Sequence, residues 1–222
     1  MGESIKRIVG PYQDSYSPNG IIGEKDACGV GFVANVEGIE SNWILKQSLK
    51  GLNCMEHRGG CGGDSDSGDG AGILCSIPWN YLEKEVNLEN KKEYHKGLGM
   101  IFMPNKKEKI EECKSICEEE AKKLKVNTTF WRAVPVNNEI LGPLAKANAP
   151  YISQWLLYID KENNDDIERL LFQLRKRIEK KIRETFKNDV GDCEFYFASL
   201  SSQTVVYKVW FALKYYPSFI KI

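Results

Sequence analysis

One cysteine, at the head of an apolar run, sets the frame into which the rest of the chain has to fit. Cys28 opens the run Asp26-Ala27-Cys28-Gly29-Val30-Gly31-Phe32. The loose alternation of β-branched and aromatic residues from Gly31 to Val36 reads as a buried strand led by the thiol. Further on stand Met55-Glu56-His57-Arg58-Gly59-Gly60 and Ser67-Gly68-Asp69-Gly70-Ala71-Gly72-Ile73. A cysteine at the head of a strand, with an arginine on a glycine turn after it, is a more specific layout than either part alone.

The residue types have a chemistry in common. A thiol, with an ordinary pKa of about 8.5, is a strong nucleophile as its thiolate. A free α-amino group, with a pKa of about 8, takes and returns protons near neutrality. A cysteine at the start of a chain supplies both groups. A guanidinium offers a planar, bidentate clamp for a carboxylate, and Gly59 and Gly60 let the backbone turn tightly beside it. The plain alternatives are a small buried cysteine and a structural arginine. A lipoprotein cysteine is excluded, because residues 1–27 hold no apolar core of signal-peptide length.

In this order the three segments resemble the class II glutamine amidotransferases. They are most similar to the glutaminase domain that begins the large chain of glutamate synthase. The similarity covers about Ile21 to Lys208 and includes Phe130-Trp131-Arg132-Ala133-Val134-Pro135-Val136 and the adjoining stretch to Gly142. The resemblance implies the N-terminal-nucleophile hydrolase fold, a four-layer αββα sandwich; pattern alone gives only α+β. It implies that residues 1–27 are a propeptide, 28–208 a partial amidotransferase domain and 209–222 an aberrant tail. Mature Cys28 would attack the side-chain amide of L-glutamine, and its own α-amine would move the proton. Arg58 would hold the α-carboxylate, with Gly59 and Gly60 approaching the substrate and Asp69 near the pocket. A turn-forming role suits Asp69 equally well. His57 is left a local hydrogen bond.

The implied reaction is L-glutamine plus water giving L-glutamate and ammonia. In the full enzyme, ammonia would pass to 2-oxoglutarate, with reduction by NAD(P)H or ferredoxin through FMN and an iron–sulfur cluster. Those redox elements have no counterpart in this sequence, so its expected partners are glutamine and the remainder of the glutamate synthase chain.

Composition narrows the alternatives. Thirty-one basic and 31 acidic residues cancel, which argues against broad attraction to nucleic acid or membrane. No stretch approaches the roughly 20 apolar residues of a spanning helix. Seven scattered cysteines suit a reducing compartment better than a disulfide framework, and the cytoplasm is the expectation. Gly62-Gly63-Asp64-Ser65-Asp66 lacks the ligand spacing of a calcium loop. Cys113 and Cys117, one helical turn apart, read as core residues rather than metal ligands.

Periodicity supplies the remaining elements. Helices are predicted over Asn42 to Met55, Lys106 to Lys125 and Asp165 to Phe186. The last carries a stripe of Ile167, Leu170, Leu174, Ile178, Ile182 and Phe186. Strands are predicted over Ala71 to Ile77, Gly97 to Met103, Tyr151 to Ile159, Glu194 to Leu200 and Gln203 to Tyr207, with a Ser201-Ser202 turn between the last two.

The chain departs from the family at one point. The family's oxyanion-hole asparagine and glycine lie in a His-Asn-Gly-Glu motif, and no His-Asn-Gly occurs in these 222 residues. Losing one such donor typically costs roughly 10²–10³ in rate. A catalytically inactive fragment is therefore the second reading. The glutaminase domain of another class II amidotransferase is the third.

Overall fold

The computed structural model describes residues 29–55, 70–86, 94–126, 128–160, 166–187 and 195–209. They form a mixed structure of helices and antiparallel sheets. The longest helix, α5 (Ile167–Thr185), starts where the Asp166 side chain accepts from the Arg169 N–H at 3.0 Å. This satisfies one of the first-turn donors that have no partner within the helix. Leu170, Leu174, Ile178 and Ile182 of the expected stripe are buried.

The helix α3 (Lys107–Lys123) buries Cys113, Ile116, Cys117 and Ala121, so both cysteines face the core as expected. It ends by a left-handed reversal at Lys125 (φ 62°), with Val126 N–H donating to the Ala121 carbonyl and Lys125 N–H to that of Lys122. That pair of bonds is the Schellman arrangement, with lysine in the place glycine usually takes.

A four-stranded sheet runs in the order β3 (Thr128–Ala133), β4 (Tyr151–Asp160), β2 (Tyr94–Met103), β5 (Tyr196–Ser201), each strand antiparallel to its neighbours. A second sheet pairs β1 (Ala71–Ser76) with β6 (Thr204–Val209), also antiparallel. The helix α3 links β2 to β3, and α5 links β4 to β5, each passing over one intervening strand. The two crossovers run in opposite directions from antiparallel strands, so a common hand lays both helices on one face.

Alternation along the strands then divides the core. Ile101, Met103, Trp155, Leu157, Phe197 and Leu200 point toward α3 and α5. Leu98, Met100, Phe102, Ile152, Leu156 and Tyr158 point toward Val205 and Tyr207 of the smaller sheet. Glu120 of α3, nearly fully buried, joins the two helices by accepting from Arg177 of α5 at 2.8 Å and from Lys123.

Leu49 and Leu52 of α1 (Asn42–Cys54) pack against the edge of the second core, beside Ile73 and Cys75 of β1. Two short helices had no signal in the sequence. α2 (Trp79–Glu85) comes after Pro78, which reads only as the end of a strand, and α4 (Pro143–Ala147) spans five residues. Neither is long enough to show a helical period. No helix among the described residues is long and apolar enough to cross a membrane.

One expectation is overturned. Gly31 to Val36 is not a buried strand: it carries no strand assignment, and Val30, Phe32 and Val36 are 95%, 95% and 104% exposed. Alternation of apolar residues favours an extended chain. A strand also needs a partner for its backbone ladder, and none pairs with this segment among the described residues. The run ends instead in a turn, where Asn35 Oδ1 accepts from Glu37 N–H at 2.7 Å and Gly38 takes φ 70°.

Candidate functional site

Cys28, Arg58, Gly59, Gly60 and Asp69 lie outside the described residues, as does His57. Gly29 and Gly70, next to Cys28 and Asp69, are described, as is Met55 at the end of α1, and Gly29 meets Met55. A Cβ built on Gly29 would lie 2.9 Å from Met55 Sδ, so the backbone just after Cys28 rests on the side chain that closes α1. Met55 stands three positions before Arg58. Gly70, the neighbour of Asp69, takes φ 97° at the entry to β1, a conformation in which glycine is at no disadvantage.

A separate cleft of about 650 Å³ lies toward the start of α1 and the end of β1, with Ser41, Ser48, Cys75, Tyr81 and Arg132 in its walls. Met55 and Gly70 do not line it. Its floor is a connected polar network. Arg132 donates to Gln154 Oε1 at 2.9 Å, to the Tyr81 hydroxyl at 3.1 Å and to Glu85 at 3.3 Å. Gln154 in turn donates to the Tyr207 hydroxyl at 3.3 Å. Burial, with the negative charge of ionised Cys75 adding a smaller push, raises the Tyr207 phenol to about 12, against the lowering effect of the Gln154 bond. Cys75 is itself raised, first by burial and then by Glu40. Both effects disfavour the thiolate, the form that reacts. The charge of Arg132 is matched by Glu85 and its N–H groups serve structural acceptors, so this floor holds β3, β4, α2 and β6 together.

The network was not anticipated, although the sequence holds one signal for it. Gln154 shares a strand face with Ile152 and Leu156, both buried. A polar residue in the middle of a run buried on both faces needs a buried partner.

Comparison with known proteins agrees with the motifs. The family described as "Glutamine amidotransferases class-II" matches residues 28–221. The chain is 44% identical over 192 residues to ferredoxin-dependent glutamate synthase 1, chloroplastic/mitochondrial, of Arabidopsis thaliana, covering 85% of this chain and 12% of that protein. It is 40% identical over 211 residues to the ferredoxin-dependent glutamate synthase of Pyropia yezoensis, covering 94% and 14%. With ferredoxin-dependent glutamate synthase 2 of Synechocystis sp. the identity is 40% over 192 residues, covering 85% and 12%. The chain thus spans about an eighth of the length of these relatives. With a family match across most of its residues and glutamate synthases among its relatives, this chain belongs to the class-II glutamine amidotransferases.

Proposed function

We propose that the chain is the nucleophile-bearing part of a glutamate synthase glutaminase domain, which hydrolyses L-glutamine to L-glutamate and ammonia. The observation that carries the reading is the meeting of Gly29 with Met55. It brings the residue after the proposed nucleophile against the end of the helix that precedes the proposed clamp by three positions, in a chain of this family.

Removal of residues 1–27 would make Cys28 the N-terminal residue. Its thiolate would add to the side-chain carbonyl carbon of glutamine, and its α-amine would carry the thiol proton to the leaving ammonia. Water would then release glutamate from the thioester. Arg58 would hold the α-carboxylate, with Gly59 and Gly60 shaping the turn and Asp69 beside the pocket. The match beginning at residue 28 supports that boundary. The packing of two antiparallel sheets, with helices outside the larger one, supports the four-layer αββα arrangement.

The relatives are named for ferredoxin, and we take it as the electron donor of the parent enzyme, whose ammonia would go to 2-oxoglutarate. FMN and the iron–sulfur cluster are assigned to other parts of that enzyme. A reducing compartment such as the cytoplasm suits the thiols of Cys75 and Cys117.

The alternative is a segment that is catalytically silent by itself. N-terminal sequencing and ammonia release from glutamine separate the two. A start at Cys28, with release abolished by Cys28→Ser, is expected. A chain that keeps Met1 and releases nothing supports the silent segment.

A further inference from the structure

We infer that the outer edge of β1 is a docking surface for an uncharged, extended peptide strand supplied by the rest of the parent enzyme; that choice of source rests on the glutamate synthase reading above. Ile73, Leu74, Cys75 and Ser76 all line the cleft of about 650 Å³. Side chains of successive strand residues point to opposite faces, so four in a row border one cleft only along the strand's edge. Among the described residues β1 pairs with β6 alone. Its other edge therefore presents backbone N–H and C=O groups that no described strand pairs.

A free edge is usually guarded by lysine, proline or a bulge. Ala71-Gly72-Ile73-Leu74-Cys75-Ser76 holds no charged residue and no proline, and its register with β6 runs without a bulge. The rim is apolar as well: Ile39, Leu74 and Tyr81 line the cleft and are 57%, 63% and 45% exposed. The two Nη groups of Arg132 serve the floor, which leaves its Nε–H without an acceptor among the described residues. That side chain is only 10% exposed, and a peptide carbonyl would supply the acceptor. Glu85 already matches the guanidinium charge and Glu40 stands in the wall, so an anion is disfavoured there. An added strand meets these demands together, its backbone extending the ladder and its apolar side chains covering the rim. The source follows from size. The matched stretch is 12% of the Arabidopsis thaliana relative, so most of a parent enzyme of that length lies outside this chain.

The test titrates the full chain into fluorescent peptides that tile the remainder of that Arabidopsis thaliana protein, read by anisotropy. Each peptide is long enough to hold a strand of about six residues. At least one apolar peptide is expected to bind, and Leu74→Lys should weaken it about tenfold or more. N-methylating the backbone of the same peptide, which removes its ladder donors, should cost about as much. Phe172→Lys on α5, outside the cleft, should leave binding unchanged. Leu74 and Phe172 are 63% and 60% exposed, so neither substitution disturbs the core. Raising the salt from about 0.05 to about 0.5 M should alter affinity less than about twofold, since no ion pair carries the contact.

No binding by any peptide, or binding that Leu74→Lys and N-methylation leave unchanged, overturns the docking surface. Self-association of the chain that Leu74→Lys abolishes in analytical ultracentrifugation assigns the edge to a second copy and overturns the choice of occupant. Either result leaves the glutaminase reading to its own test at Cys28. Peptide binding as expected, with no diazo-oxo-norleucine adduct on Cys28, upholds the surface while the glutaminase reading falls.

Discussion

Replacing Gly97 with alanine tests how tightly α5 is seated on the larger sheet. Gly97 lies in β2 opposite Leu157 of β4. A methyl group there would meet Leu171 Cδ2 at 3.0 Å, Leu171 Cδ1 at 3.1 Å and Leu157 Cδ1 at 3.5 Å. Carbon atoms in good contact sit about 3.5–4.0 Å apart, so the methyl intrudes by about 0.5 Å on Leu171. Both leucines are 0% exposed, and the surrounding core leaves little room for them to yield.

Overpacking of this kind costs about 1–3 kcal/mol. Loss of glycine's freedom in the unfolded chain returns about 0.4–1 kcal/mol. The net expectation is a loss of about 1–2 kcal/mol, which lowers Tm by roughly 2–8 °C in a chain of this size. Urea denaturation monitored by circular dichroism reads the change.

Leu171→Ala alone should cost about 2–5 kcal/mol through the cavity it leaves. In the double variant the new methyl occupies part of that space, so the combined loss should fall short of the sum by about 1 kcal/mol. A neutral or stabilising Gly97→Ala, or strict additivity in the double variant, would refute the reasoning.

Glu120→Gln should lower stability by roughly 1 kcal/mol at neutral pH. Its carboxylate is buried, but Lys123 and Arg177 are about half exposed and are rehydrated when it is gone. Burial alone would raise the Glu120 carboxyl, yet the bonds from Lys123 and Arg177 outweigh it and hold the group below the usual carboxylate range. Its contribution is therefore full above the unfolded value and is lost as pH falls through the lower folded value. Denaturant midpoints measured from pH 7 down to pH 3 should show that slope in the parent chain and less of it in Glu120→Gln. At the alkaline end, Tyr158 and Tyr207 are each pushed to about 12, chiefly by burial. Their contribution is present below about pH 10 and lost as pH rises through the folded values. Ultraviolet titration should show both phenols ionising late, and Tyr207→Phe should remove one of them. Lys125→Gly should stabilise the chain by roughly 0.5 kcal/mol by relieving the left-handed lysine that ends α3, measured as a rise in Tm.

Much of the fold was legible because burial leaves a period in the sequence. The stripe from Leu170 to Ile182 and the spacing of Cys113, Cys117 and Ala121 mark the faces of α5 and α3 that the structure buries. The run of Tyr151 to Ile159, apolar except at Ser153 and Gln154, becomes a strand covered on both sides. Gly31 to Val36 misled because apolar alternation records a tendency to extend but carries no information about a pairing partner. The Arg132, Gln154 and Tyr207 network was hidden for a related reason. Its members come from three strands in two sheets, and only the pairing of β3 with β4 and the packing of the sheets bring them together. The proposed site was read from motif order alone. The structure contributes its flanks, Gly29 on Met55 and the left-handed Gly70.

The most direct test of the central claim is the mass of the purified chain after incubation with diazo-oxo-norleucine, with the modified residue located by peptide mapping. The account predicts a chain that begins at Cys28 and carries one adduct on that thiol, with excess L-glutamine protecting it. A chain still carrying residues 1–27, or an adduct spread over other cysteines and unaffected by glutamine, would contradict it.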